Sequence, residues 1–255
     1  MEPWRTGIVD ADQEHIRIRG YDVTALMTRV TFTDTIFLLH RGRLPDSNER
    51  ALLDAILTGV ADHGSGAPSC AAARLAASGN RQSLSAAVAA GVLTIGDEHG
   101  GAGSTCMEMI AAVCARARAG ALSMAEVAAE TVSAALAAGE RLPGLGHRVH
   151  KVDPRTAILF GMTRQVNLAG EGLACMEALE SAIRNQGKTI SINIDGALAA
   201  ILHDLGFPPP FGKLVFIIGR VAGLTAEVAE EYEREKPMRV RIPLTYDGVP
   251  PRELP

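Results

Sequence analysis

Alanine sets the first limit on how this chain can fold. Tracts such as Ala71-Ala72-Ala73-Arg74-Leu75-Ala76-Ala77 and Ala134-Ala135-Leu136-Ala137-Ala138 recur, while aromatics supply only 4% of its 255 residues. Alanine loses least on entering a helix, and small side chains let helices pack closely. A β-sandwich would want more β-branched and aromatic residues. The expectation is an all-α protein. With 47% apolar residues the chain can bury a sizeable core, as one large domain or two smaller ones.

Local signals divide the chain into helices. After a short mixed stretch, Ile16-Arg17-Ile18-Arg19 alternates as a small hairpin or extended arm would. Two short helices follow between Asp22 and Leu39, broken where Thr31 and Asp34 can cap. Asp46 with Glu49, and Ser123 with Glu126, form capping boxes for helices reaching about Val60 and Gly139. Further helices are expected at about 71–77, 83–93, 103–119, 154–168, 171–185, 195–205 and 211–235, the last with a Glu-rich end. Asp153-Pro154 places an N-cap and a first-turn proline ahead of Arg155. The proline-rich tail from Lys236 should be extended.

Charge and cysteine usage narrow the class. A net charge of −4 with both signs interspersed suggests neither a nucleic-acid surface nor a polybasic membrane segment. Cys70, Cys106, Cys114 and Cys175 form no CxxC pair, so reduced, mostly buried thiols of a cytoplasmic protein are expected. The first residues lack the apolar core of a signal peptide, and no apolar run is long enough to span a membrane.

Three glycine-flanked loops carry the chemistry-bearing side chains. They hold His99 in Gly-Asp-Glu-His-Gly-Gly, His147 in Gly-Leu-Gly-His-Arg-Val and Asp195 in Asn-Ile-Asp-Gly, with His63 in Asp-His-Gly as a weaker fourth. Converging histidines and a carboxylate could hold a metal or act as an acid/base set. The helical zinc spacings and the G-x-S-x-G elbow are both missing, which favours acid/base work. The plainer reading is that each histidine is a loop residue bonded to backbone. Arg155, in the first turn after Asp153-Pro154, suits an anion beside His147.

Five segments in order resemble the citrate synthases and the related citryl-CoA lyases. They are Ile18–Tyr21 with Phe37–Pro45, Asp62–Arg74, Gly96–Gly103, Gly144–Arg155, and Asn193–Asp195 with Ile218–Gly223. The resemblance implies an all-helical fold of two closing domains working as an intertwined homodimer. It places a small domain at 104–198 within a large domain made of 1–103 and 199–255. It implies that Asp195 moves the proton at the acetyl methyl and that His99 stabilises the enol or enolate. His147 would exchange a proton with the carbonyl or alcohol oxygen. His63, Arg155 and Arg220 would bind carboxylates. Arg241, counted back from Tyr246 though the local Arg-Pro order differs, would reach across the dimer. Lys151 and Asn193 are the candidates for coenzyme A contact. The thioester is substrate or product, with no bound cofactor or metal.

Three departures separate the chain from ordinary synthases. A helical stretch before Asp62 is mostly missing, the His147–Arg155 segment is one residue shorter, and Gly196 stands where synthases usually carry an aromatic. These features look more like a citryl-CoA lyase, which cleaves citryl-CoA to acetyl-CoA and oxaloacetate. The alternatives are a short citrate synthase, a related acyl-CoA/2-oxo acid condensing enzyme, or a non-catalytic subunit that binds coenzyme A or a tricarboxylate.

Overall fold

The computed structural model describes residues 2–120, 122–146 and 152–253. It opens with a small antiparallel sheet, β1 (Val9–Ala11), β2 (Ile16–Ile18) and β3 (Tyr21–Asp22), with Val9 opposite Ile18 and Ile18 opposite Tyr21. Helices follow: α1 (Val23–Arg29), α2 (Phe32–Arg41), α3 (Ser47–Val60), α4 (Pro68–Gly79), α5 (Leu84–Leu93), α6 (Ala102–Arg118), α7 (Met124–Ala138), α8 (Pro154–Gln165), α9 (Glu171–Asn185), α10 (Ile194–Asp204) and α11 (Phe211–Arg234). The all-α expectation holds, with the sheet as a minor N-terminal addition. Among the described residues no helix is long and apolar enough to cross a membrane.

Both predicted capping boxes form, and the expected cap at Thr31 and Asp34 proves to be a third. Thr31 with Asp34, Asp46 with Glu49 and Ser123 with Glu126 each exchange side-chain and backbone hydrogen bonds at the starts of α2, α3 and α7. Two ends differ from expectation. α4 starts at Pro68 rather than near Ala71, because the proline occupies the first helical position without any side-chain cap. α8 stops at Gln165 rather than 168, where Asn167 takes a left-handed φ of 57°.

α10 is the axis of the core. Ala197 to Leu202 are all fully buried. The helix packs on α6 and α9, with α8, α11 and α3 closing the remaining sides. Its alanines let these neighbours approach, while Leu198, Ile201 and Leu202 each gain about 1.5–3 kcal/mol from burial. The main core is continuous across α6 and α10. A smaller apolar cluster joins α4, α5 and α11.

α11 lies against the end of α3 at two glycines. A Cβ on Gly219 would sit 2.5 Å from Val60, and one on Gly223 would sit 2.2 Å from the Ala61 carbonyl. That close approach sets Arg220 beneath the end of α3. At the far end of α11, the fully buried Glu231 accepts from Arg74 Nε at 2.9 Å and from Arg239 Nε at 2.7 Å. This ion cluster ties down the start of the extended tail.

Candidate active site

The first turn of α10 presents Asp195. Asn193 caps the helix, its side-chain oxygen accepting from the Gly196 N–H at 3.1 Å. Asp195 Oδ1 is sealed from solvent and has no hydrogen-bond partner among the described residues. Burial is the main reason its carboxyl is pushed up to about 6. Nearby Asp153 adds to that shift, while Arg155 and Arg220 oppose it. A carboxyl poised near neutrality can give or take a proton under physiological conditions.

Gly196 is required by its surroundings. A Cβ there would lie 2.3 Å from the Gly144 carbonyl and 2.8 Å from Met176. Gly144, with φ of 78°, would likewise drive a Cβ within 2.6 Å of Gly196. The two glycines let the 144–146 loop lie directly on the turn that carries Asp195.

This loop leads to His147. His147 and Lys151 lie outside the described residues, but both flanks of their segment are anchored beside Asp195. On one side Leu145 bridges to Ile192, the Gly146 N–H donates to the Ser191 carbonyl at 2.8 Å, and Asn193 Nδ2 donates to the Gly146 carbonyl at 2.6 Å. On the other, Thr156 Oγ1 donates to the Ile192 carbonyl at 3.1 Å, and the Ile194 N–H donates to Asp153 Oδ2 at 3.1 Å. Asn193, a candidate for coenzyme A contact, thus has both ends of its amide engaged in holding the loop to the helix.

Asp153 caps α8 as expected, yet its larger part is to hold Arg155. Arg155 Nε donates to Oδ1 at 2.9 Å, Nη2 donates to Oδ2 at 2.8 Å, and Nη1 reaches the Gly59 carbonyl at 3.0 Å. The expected anion on the Arg155 fork is therefore, in this structure, a carboxylate of the same turn. Burial alone would discourage charge on Asp153, but the Arg155 side-chain and backbone hydrogen bonds outweigh it and lower the carboxyl from its ordinary value. Arg155 keeps one N–H on each of Nη1 and Nη2 with no acceptor among the described residues.

His99 is fixed by a different helix from the one that follows it. Its Nε2 accepts the Ser69 backbone N–H at 3.2 Å, a donor from the first turn of α4. The Ser69 hydroxyl contacts the same Nε2 at 2.9 Å and receives Arg220 Nη1 at 3.1 Å. Phe216 completes the group, its ring edge-on to His99 at 6.0 Å and beneath the Arg220 guanidinium at 4.7 Å.

Arg220 connects this group to Asp195. It is only 2% exposed, donates through Nε to the Val60 carbonyl at 3.0 Å, and makes no ion pair among the described residues. Burial lowers its pKa from the ordinary guanidinium value. Its charge in turn acts on Asp195. Of the other candidates, His63 lies exposed in the loop after α3, and Arg241 lies exposed in the tail just past the Arg239–Glu231 pair.

Sequence reasoning missed Ser69 and Phe216 as parts of this site, and saw Asp153 only as a cap. The proline at 68 was the available signal for Ser69, since it marks the helix start whose free N–H groups need acceptors. Phe216 and the Asp153–Arg155 pair gave no comparable local sign.

A second set of polar side chains lies apart, at the other end of α10. There Cys114 of α6, Glu171 of α9 and His203 of α10 meet, with Cys175 of α9 close to Cys114. The neighbouring Cys175 first, and then His203, lower the Cys114 thiol from its ordinary value despite burial. The same contact with Cys114 raises the His203 pKa. All four cysteines are buried and unpaired by disulfide.

Comparison with known proteins is consistent with this geometry. Residues 45–241 match the model of the citrate synthase C-terminal domain. The chain is 30% identical over 232 residues to a citrate synthase from Haloferax volcanii, an overlap covering 89% of this chain and 58% of that protein. It is 31% identical over 216 residues to a putative citrate synthase 2 from Mycobacterium tuberculosis, covering 82% of this chain and 54% of that one. The chain thus spans little more than half the length of these curated relatives. Among solved structures it is similar to a citryl-CoA lyase from Hydrogenobacter thermophilus, with a TM-score of 0.90, 39% identity, and coverage of 100% of this chain and 98% of that chain. An ATP citrate lyase from Methanothrix soehngenii, solved in complex with citrate and coenzyme A, shares the fold at a TM-score of 0.75 and 20% identity, covering 97% of this chain and 43% of that one. The chain belongs to the citrate synthase family.

Proposed function

We propose that this chain is a citryl-CoA lyase, cleaving citryl-CoA into acetyl-CoA and oxaloacetate. One observation carries the reading: among the described residues the buried Arg220 guanidinium has no ion pair, and Asp195, which feels its charge, keeps Oδ1 shielded and without a partner. Unmatched buried charge and polarity are costly, and a polycarboxylate substrate that exchanges a proton would satisfy both.

In this mechanism His147 takes the hydroxyl proton of citryl-CoA. The carbon–carbon bond breaks, the oxygen becomes the oxaloacetate carbonyl, and the bonding electrons pass to the acetyl thioester as an enolate. His99, held at Nε2 by Ser69, donates to the developing oxyanion. Protonated Asp195 then delivers its proton to the terminal carbon. Arg220 holds substrate carboxylates, helped by the unused N–H groups of Arg155, by His63 and, across a homodimer, by Arg241 of the second copy. Movement of 104–198 against the rest would close the site and exclude water. Coenzyme A enters as part of the substrate, near Lys151. Gly196 also supports the lyase reading, since Gly144 leaves no room for the aromatic usual in synthases.

The test is to mix citryl-CoA with purified protein and follow the products. Rapid release of oxaloacetate and acetyl-CoA is expected. Free citrate would make the chain a short synthase, and binding without turnover would make it a non-catalytic subunit.

A further inference from the structure

The cluster at the far end of α10 has no part in the proposed reaction. His203 lies eight residues beyond Asp195, about 12 Å along the helix. One donor atom each from Cys114, Glu171 and His203 lies within 4.8 Å of the other two. Cys114 Sγ also donates to the Glu171 carbonyl at 3.7 Å, which ties α6 to the start of α9 at this point. Three helices therefore direct a thiol, an imidazole and a carboxylate at one point.

We propose that Cys114, His203 and Glu171 form a three-ligand site for one zinc-class divalent cation at the junction of α6, α9 and α10, with a fourth position left for water. Thiolate and imidazole donors select such a metal over magnesium or calcium, which prefer oxygen. Donors at zinc-bond lengths around a tetrahedral ion lie roughly 3.5 Å apart. The present spacing therefore asks only for side-chain shifts on the order of an ångström. The site is buried on its sulfur side, and the exposed Glu171 with the half-buried His203 leaves the cation a route from solvent. Glu171 now pairs with Arg118, itself an exposed side chain, so its carboxylate can turn inward without leaving a buried charge unpaired. Binding would fix the C-terminal end of the core helix to its two main neighbours.

The experiment uses the reduced full-length protein, stripped with a chelator and titrated with cobalt(II). A thiolate-to-cobalt charge-transfer band that saturates at one metal per chain and is displaced by zinc is expected, with a rise in Tm of several degrees. Cys114→Ser and His203→Ala should each weaken binding by at least about 100-fold. Absence of the band, or its persistence unchanged in both variants, overturns the proposal. So does its loss in Cys70→Ser alone, which would move the metal to the Asp62–Cys70–Glu227 group. Should the variants fail to fold, X-ray absorption on the zinc-loaded wild-type protein decides. A sulfur scatterer at about 2.3 Å is expected, and a shell of only nitrogen and oxygen is fatal. None of these readouts depends on the reaction the chain catalyses.

Discussion

Asp153 and Asp195 meet the same short segment, at the start of α10, and the protein treats them in opposite ways. Asp153 accepts from Arg155 Nε and Nη2, from the Arg155 backbone N–H and from the Ile194 N–H. Its charge is therefore welcome, and its carboxyl lies below the ordinary range. Asp195 lies at the neighbouring turn with Oδ1 shielded and unpartnered, so its carboxyl is pushed up to about 6. One carboxylate is held ionised as structure, and the other is kept able to change its protonation. Environments that push two nearby carboxyls apart are how an acid/base role is separated from a scaffold role.

The contrast can be broken most sharply at Asp195. Asp195→Asn should lower turnover of citryl-CoA by about 1,000-fold or more, the upper part of the general acid–base range. Calorimetric titration should show substrate affinity little changed. Near-normal turnover would remove Asp195 from the mechanism. The counterpart change, Asp153→Ala, should act on stability. Removing one partner of a buried ion pair costs about 3–5 kcal/mol, read from urea unfolding, and a loss well below this would mean that Arg155 finds another acceptor.

Asp195 should show the reverse stability effect. A carboxyl raised from 3.8 to about 6 makes its ionisation cost about 3 kcal/mol in the folded protein. The folded state holds the proton more tightly, so this cost builds between pH 3.8 and about 6 and is complete above that. Asp195→Asn should thus be more stable than wild type at pH 8 by up to about 3 kcal/mol, with the gain fading toward pH 4. A constant difference across that window would contradict the assigned shift.

The smallest effect is on rates. Cleavage uses protonated Asp195, so its rate should fall as pH rises above about 6, approaching tenfold per unit. Condensation uses the carboxylate and should fall instead below about 6. Rate profiles in both directions, compared with Asp195→Glu, would show whether this group sets the limbs.

Much of this was legible in the sequence wherever a signal and its effect lie within one helical turn. The caps at Thr31, Asp46 and Ser123 were recovered because donor and acceptor are three residues apart and need nothing from the rest of the fold. The Asp153-Pro154 start of α8 was recovered on the same ground. The position of His99 in a glycine-flanked loop was also readable, whereas Asp195 lies in the first turn of α10 rather than in a loop; the five segments carried the family.

Their surroundings were not readable, because they come from residues far along the chain. Ser69 meets His99 across 30 positions, and Arg220 meets Ser69 across 151. The sequence by itself determined the helical class, the helix starts and the kinds of side chain on offer. Only the tertiary structure decided that Arg155 faces its own Asp153, that His99 is held through α4, and that Asp195 is left shielded. Helix caps are satisfied locally, whereas desolvation and ion pairing depend on which distant surfaces packing brings together.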